Sequence, residues 1–289
     1  MKNALILFLV ICTACSKGSG QSDLFEIGNP LAELDKKNLT EASGLAASVN
    51  NPGLLWTLND SDNTADVFLI DQKADIKLTC RLKGIKNRDW EDIAVGPGPE
   101  EGKSYVYVGD IGDNRAAFPV KYVYRFEEPV AASGVDEIEI TAIDKITFKL
   151  DGIQKDTETL LLDPRTKDLF VVTKREKPVT VYQLKHPYAT NDTLTATPVT
   201  TIPLSYIVGG SISGDGSEIL LKNYDHIYYW KGSRKNTIGE ILKTEPTKLP
   251  YKPEPQGEAI AWARDRSGFF TVSENVTGKR SYLFFYRRK

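Results

Sequence analysis

The chain has 289 residues, enough for one large hydrophobic core or two small domains. Charged residues of both signs make up 26% of it, and the formal net charge is −2. This balance gives no general electrostatic reason to bind nucleic acid, so we expect no nucleic-acid partner. Because the composition does not divide the chain into halves, we predict a single domain over residues 23–289.

The chain opens with the features of a secretory leader. Lys2 is followed by the apolar run ALILFLVI, which is far shorter than the roughly 20 residues of a membrane span. The segment CTAC at 12–15 resembles the bacterial lipoprotein cleavage box. That resemblance implies a signal peptide over 1–14, a lipidated Cys15 and a tether over 15–22. We therefore expect an extracytoplasmic protein whose lipid anchors it to a bacterial membrane, with the outer membrane favoured.

Cysteine usage predicts no internal disulfide. After removal of the leader only Cys80 accompanies the lipidated Cys15. Cys80 is in phase with Leu78 and Leu82 on one face of an alternating strand, which predicts a buried and unreactive thiol.

Five stretches of the chain repeat one pattern. Each begins with Ser or Glu, continues through an apolar strand, a Gly/Pro/Asp turn and a second apolar strand, and ends in a polar cluster. The stretches are EASGLAASVNNPGLLWTLND, WEDIAVGPGPEEGKSYVYVGD, TETLLLDPRTKDLFVVTKRE, GSISGDGSEILLKNYD and GEAIAWARDRSGFFTVSEN. Their leading residues are Ser43, Glu91, Glu158, Ser211 and Glu258.

Further strands between the repeats predict the fold. Two more strands follow each of the first four repeats, including 136–150 after the second and 239–249 after the fourth. The fifth repeat has one, and residues 23–34 can supply its fourth strand and cover the exposed edge. Four-stranded units spaced by roughly 50 residues predict an all-β, five-bladed β-propeller. Six blades are the alternative, with an extra blade inside the long second unit. A β-sandwich would not explain the recurrence.

The leading residues predict a metal site. In a propeller the first strand of each blade lines the central channel, so these side chains would share one ring at the channel mouth. Opposed carboxylates repel unless a cation holds them, and oxygen ligands suit calcium. The predicted metal ligands are Ser43, Glu91, Glu158, Ser211 and Glu258. The alternative is that water and Lys or Arg side chains neutralise the ring. Trp90 is expected to be a packing residue.

The ends of the second strands predict a ligand site around the ring. Acidic residues there would bind a metal or activate water, and basic residues would hold an anion. The candidate catalytic residues are Asp60, Asp113 and Glu274. The candidate ligand-binding residues are Asn59, Asp110, Asn114, Lys174, Arg175, Lys222 and Asn223.

The order Ser, Glu, Glu, Ser, Glu at successive blade entrances resembles that of the calcium-activated nucleotidase (apyrase) family. SGLAAS, EDIAVG, TETLLL, SISGDG and GEAIAW carry this resemblance. It implies a five-bladed propeller with calcium in its channel that hydrolyses nucleoside di- and triphosphates. DWEDIA followed by YVGDIGDN is also similar to bacterial phytase-like propeller proteins.

The sequence thus predicts a monomeric, lipid-anchored, calcium-binding propeller with a phosphorylated or other anionic small molecule as its ligand. It leaves open whether that ligand is hydrolysed. If it is, the protein is a calcium-dependent phosphoric-ester or phosphoanhydride hydrolase. The alternative is a non-catalytic binding or scaffolding propeller at the cell envelope.

Overall fold

The computed structural model describes residues 23–35, 37–275 and 279–289. The predicted signal peptide, tether and lipidated Cys15 lie outside these residues. Within them the fold is all-β, with 21 strands and one five-residue helix. None of the helical structure in this part of the chain is long and apolar enough to cross a bilayer.

The strands follow the five repeated units in chain order. Strand β1 (Asn29–Glu33) precedes the first unit. Unit one comprises β2 (Ala42–Ala47), β3 (Leu55–Asn59), β4 (Asp66–Ile70) and β5 (Ile76–Leu82). Unit two comprises β6 (Trp90–Pro97), β7 (Ser104–Asp110), β8 (Lys121–Glu127), β9 (Glu137–Ile140) and β10 (Asp144–Leu150). Unit three comprises β11 (Thr157–Leu162), β12 (Leu169–Thr173), β13 (Val179–Leu184) and β14 (Thr193–Ile202).

The last two units complete the fold. Unit four comprises β15 (Gly209–Ile212), β16 (Glu218–Lys222), β17 (Ile227–Lys231), α1 (Ile238–Leu242) and β18 (Thr247–Leu249). Unit five comprises β19 (Gly257–Trp262), β20 (Gly268–Ser273) and β21 (Tyr282–Arg287). Its fourth strand is β1, which pairs antiparallel with β21, so the predicted contribution of the N-terminal segment is confirmed.

Each repeat forms the predicted antiparallel hairpin, but two intervening segments differ from the prediction. The segment 136–150 forms two strands, and β9 pairs in parallel with β5 of the preceding unit. The extra length of unit two is therefore taken up by β9, which reaches the sheet of unit one. The segment 239–249 begins as helix α1, because Thr237 and Glu240 cap its start reciprocally through their side chains.

Hydrogen bonding groups the strands into four sheets. The first contains unit one with β9, and the last contains unit five with β1. Units two and three form one eight-stranded sheet because β14 pairs with β13 along one half and in parallel with β10 along the other. Unit four forms a sheet of its own.

The first strands of the units are neighbours in a closed cycle. Strand β2 contacts β6 and β19, β11 contacts β6 and β15, and β15 contacts β19. Close approach depends on glycine, because a Cβ on Gly44 would lie 2.9 Å from the Ile93 nitrogen, and one on Gly209 would lie 2.2 Å from the Glu258 carbonyl oxygen. These five strands also line a cavity of about 250 Å³.

The hydrophobic core lies between neighbouring units. Among the described residues, five apolar clusters each join two units that are adjacent in the cycle, and one of them joins unit five to unit one. Trp90 is fully buried in the cluster between units one and two, which confirms its predicted packing role. Cys80 lies in the same cluster as a free thiol, and burial raises its pKa to about 12.

Candidate functional site

Four of the five predicted leading residues occupy β-bulges. In β2, β6, β11 and β19 the register shifts at the second residue of the strand. A bulge re-aims the side chain of the extra residue, and bulges are common beside functional sites. The residues at these positions are Ser43, Glu91, Glu158 and Glu258.

Ser211 does not stand in register with these four residues. Strand β15 pairs with β16 without a bulge, from Gly209 opposite Lys222 onward. Ser211 therefore forms the third residue pair of its strand, opposite Leu220, and its Oγ accepts a hydrogen bond from the main-chain N–H of Trp262 at 3.1 Å. The sequence placed Ser211 in the ring because its repeat aligns with the others, but the missing bulge residue shifts it.

Three carboxylates meet in what we call the central cluster, Glu91, Glu158 and Glu258. One oxygen of each lies within 4.8 Å of the other two. All three residues are at most 4% exposed. Ser43 is buried at the equivalent bulge, but its Oγ donates to the Trp90 carbonyl oxygen at 3.5 Å. The structure thus brings together the three predicted acidic ligands and places Ser43 at the equivalent bulge of its unit.

The three carboxylates of the central cluster differ in their partners. Glu158 accepts from Lys174 Nζ at 2.7 Å, and Glu258 accepts from the Tyr224 hydroxyl at 2.7 Å. Among the described residues nothing donates a hydrogen bond to Glu91 or forms an ion pair with it, although it is 3% exposed. A buried carboxylate without a partner is costly, so Glu91 marks a place where a ligand or a proton is needed.

Burial and repulsion between carboxylates raise the pKa values of Glu91 and Glu158. Burial, followed by the charges of Glu158 and Asp60, raises the pKa of Glu91 well above its usual value. Burial raises the pKa of Glu158 to about 8, although Lys174 opposes this change. Burial lowers the pKa of Lys174, but the charges of Glu158 and Glu258 outweigh it and raise that pKa overall. The cluster therefore favours bound positive charge.

A second group, the lateral cluster, consists of Asp60, Asp89 and Glu91. One oxygen of each also lies within 4.8 Å of the others. Burial raises the pKa of Asp60 to about 7 and that of Asp89 to about 6. Gly112 provides the space, because a Cβ there would lie 2.1 Å from Glu91 Oε1 and 2.5 Å from Asp89 Cγ. Asp89, which stands two residues before the bulge, is not among the predicted metal ligands.

Of the predicted catalytic residues, two adjoin the clusters. Asp60 is a member of the lateral cluster, and Glu274 is close enough for Glu258 and Asp60 to influence its charge. Burial, with these charges, raises the pKa of Glu274 to about 8. Asp113 is engaged differently, since its two oxygens accept the N–H groups of Ala117 and Phe118 at 2.7 and 2.9 Å. It orders the loop after β7.

Three predicted ligand-binding residues lie at the rim of the clusters. Lys174 contacts Glu158 directly. The Arg175 side chain is 46% exposed, and its Nε donates to Asp156 Oδ2 at 2.8 Å. A second nitrogen of Arg175 donates to the Asn114 side-chain oxygen. Arg175 therefore remains accessible and is held in place by two neighbours.

The side chains of the other four predicted ligand-binding residues make hydrogen bonds to other residues of the protein. Lys222 is fully buried and donates to the Gly257 carbonyl oxygen, and burial lowers its pKa to about 8. Each of the other three satisfies neighbouring groups through its side chain. They are Asn59, bonded to Glu41 and Asn38; Asp110, bonded to Arg88 and Tyr124; and Asn223, bonded to Asp225, His226 and Ser205.

No protein-family model matches the chain, and no curated protein matches it.

Proposed function

We propose that the protein is a five-bladed β-propeller that binds calcium at the entrance of its central channel. Support for the propeller comes from the closed cycle of first strands and from the five cores between adjacent units. The second unit supports five blades over six, since its extra strand β9 joins the sheet of unit one.

The carboxylate of Glu91 carries the cation proposal. It is buried, lacks a hydrogen-bonding partner among the described residues and lies within 4.8 Å of Glu158 and Glu258. The surrounding donors are carboxylate oxygens, which suit a hard cation such as calcium better than a metal that prefers nitrogen or sulfur. The alternative, that basic side chains neutralise the ring, is met in part, because Lys174 offsets one negative charge. Of the three carboxylates in the central cluster, however, Lys174 contacts only Glu158.

The rim supports an anionic ligand, such as a phosphorylated small molecule. Calcium, when bound, would polarise a phosphoryl oxygen and neutralise the carboxylates around it. Arg175 would hold a second anionic oxygen by charge-assisted hydrogen bonds. Glu274 belongs to neither cluster, and burial with the charges of Glu258 and Asp60 raises its pKa to about 8, so it is suited to accept a proton from an attacking water. We assign the general-base role to Glu274 rather than to Asp113, whose oxygens order a loop.

Calorimetry of chelator-treated protein tests the cation site. We expect calcium to bind the wild type, and Glu91→Gln to weaken binding at least about tenfold, or 1.4 kcal/mol. The matched control is Glu101→Gln, at an exposed position outside the clusters, which should bind as the wild type does. Absence of calcium binding, or equal binding by Glu91→Gln, would contradict the proposal.

Phosphate release from nucleotides and phytate, with and without calcium, separates an enzyme from a binding protein. A hydrolase should release phosphate only with calcium and should lose this activity in Glu274→Gln. Calcium binding without phosphate release from any of these substrates would favour the non-catalytic propeller. The extracytoplasmic, lipid-anchored location remains part of the proposal.

A further inference from the structure

We infer that the channel entrance holds two divalent cations, one in the central cluster and one in the lateral cluster, with the carboxylate of Glu91 shared between them. This inference rests on the proposed function, because it adds a second ion to the same entrance. The residues that carry it are Asp60, Asp89 and Glu91.

Glu91 is placed to bridge two ions. It belongs to both groups of three carboxylates, and within each group the chosen oxygens lie within 4.8 Å of one another. A carboxylate has two oxygens and accepts up to about four hydrogen bonds or metal contacts. No described residue donates to either oxygen of Glu91, so both remain available.

Asp89 is a second buried carboxylate that lacks a partner. It is 8% exposed, and among the described residues its side chain makes no hydrogen bond or ion pair. The Asp89 main-chain carbonyl accepts the N–H groups of Ile111 and Gly112 at 3.1 Å, which fixes the position of the residue. The lateral cluster thus contains two buried acids, held in place by the backbone, that protein donors leave unsatisfied.

The local charge favours two ions over one. Six carboxylates influence one another here, and Lys174 is the basic side chain that contacts the central cluster. They are Asp60, Asp89, Glu91, Glu158, Glu258 and Glu274. Lys121 and Arg88 also act on Asp89, but so do Asp110 and Asp156, so when all are ionised the excess of negative charge is still larger than one divalent cation removes. Repulsion at these separations is strong in a low-dielectric site.

Gly112 keeps the space between the two clusters open on one side. Its Cα packs so closely that a Cβ would overlap Glu91 Oε1 and Asp89 Cγ. The two carboxylates therefore lie side by side against the main chain of Gly112. This arrangement suits small ions coordinated by oxygen.

Native mass spectrometry and calorimetry with calcium alone can count the ions. The wild type should bind two per chain, Asp89→Asn one and Glu258→Gln one, whereas Glu91→Gln should lose both. Asp192→Asn, at an exposed position, is the matched control for Asp89→Asn and should still bind two.

The outcomes separate this inference from the proposed function. One calcium per wild-type chain, unaffected by Asp89→Asn, would overturn the second ion and leave the first. No calcium in the wild type would overturn both. Circular dichroism should show that each variant folds. If Asp89→Asn does not fold, the wild-type stoichiometry decides alone: two ions support the inference, and one overturns it.

Discussion

Gly112 shows how one residue sets the geometry of the carboxylates. It lies in the YVGDIGDN segment, where its main chain packs against Glu91 and Asp89. A methyl group at this position would have to push both side chains aside, since real Cβ atoms do not approach to 2.1 Å. We therefore expect Gly112→Ala to weaken calcium binding about tenfold or more, measured by calorimetry.

The control for this substitution is Gly239→Ala. Gly239 lies in helix α1, where a Cβ would meet Val199 at an ordinary 3.6 Å. Alanine there should leave calcium binding unchanged and should stabilise the helix by up to about 1 kcal/mol. Unchanged calcium binding by Gly112→Ala would show that the carboxylates do not depend on this glycine.

Individual residues also show how far the sequence predicts the site. Glu91, Glu158 and Glu258 were predictable because the repeat places each at the same point of its unit. Asp89 was not predicted as a metal ligand, because it lies in a loop before β6, where periodicity does not specify the path. The burial of Lys222 was also missed, because a lysine at a strand end usually extends into solvent, whereas this one is held by the Gly257 carbonyl.

At the scale of elements, the N-terminal segment completes the sheet of unit five. Phe25 is 1% exposed and packs against Phe269, Tyr229 and Trp262, with ring centroids 5.1 to 6.0 Å apart. The segment thus contacts both unit four and unit five. We expect Phe25→Ala to lower the free energy of unfolding by about 3–5 kcal/mol in urea titrations, because it leaves a cavity between them.

Ile27 offers a control in the same segment. It is 68% exposed, so Ile27→Ala should change stability by no more than about 0.5 kcal/mol. A similar small effect of Phe25→Ala would indicate that the N-terminal segment contributes little to stability.

The hairpins were the most predictable elements, since alternating apolar residues and turn signals coincide in each repeat. The prediction failed where pairing depends on distant partners. Strand β9 pairs in parallel with β5, and only the folded chain brings these segments together. The segment 239–249 was predicted to be a strand, but the capping pair Thr237 and Glu240 begins helix α1 there.

For the whole molecule, the clusters predict an unusual dependence of stability on pH. Asp60, Asp89, Glu158 and Glu274 have pKa values of about 7, 6, 8 and 8, whereas unfolded carboxyl groups titrate near 4. Between these limits the folded protein binds more protons than the unfolded chain. Stability from these groups is therefore fully present below pH 4 and is lost as pH rises through 6 to 8. Burial lowers the pKa of His186, so this residue makes stability rise with pH, but it is one group against the four carboxylates.

Thermal unfolding with chelator should therefore show a melting temperature that falls between pH 5 and pH 7.5. Calcium replaces the bound protons, so its stabilisation should be small at pH 5 and larger at pH 7.5, where about 100 times the dissociation constant adds roughly 2.7 kcal/mol per site. The double substitution Glu91→Gln and Glu258→Gln should abolish the calcium effect but reduce the pH dependence only in part, because burial is the largest cause of the four raised pKa values. Burial lowers the pKa values of Lys121 and Lys222 to about 8, so between pH 5 and pH 7.5 both remain largely protonated in the folded and the unfolded chain and change this trend little. Their contribution to stability rises only above pH 8, where the folded protein loses these protons before the unfolded chain does. A melting temperature that rises from pH 5 to pH 7.5 in chelator, or a calcium effect equal at both pH values, would show that these carboxylates remain ionised without a cation.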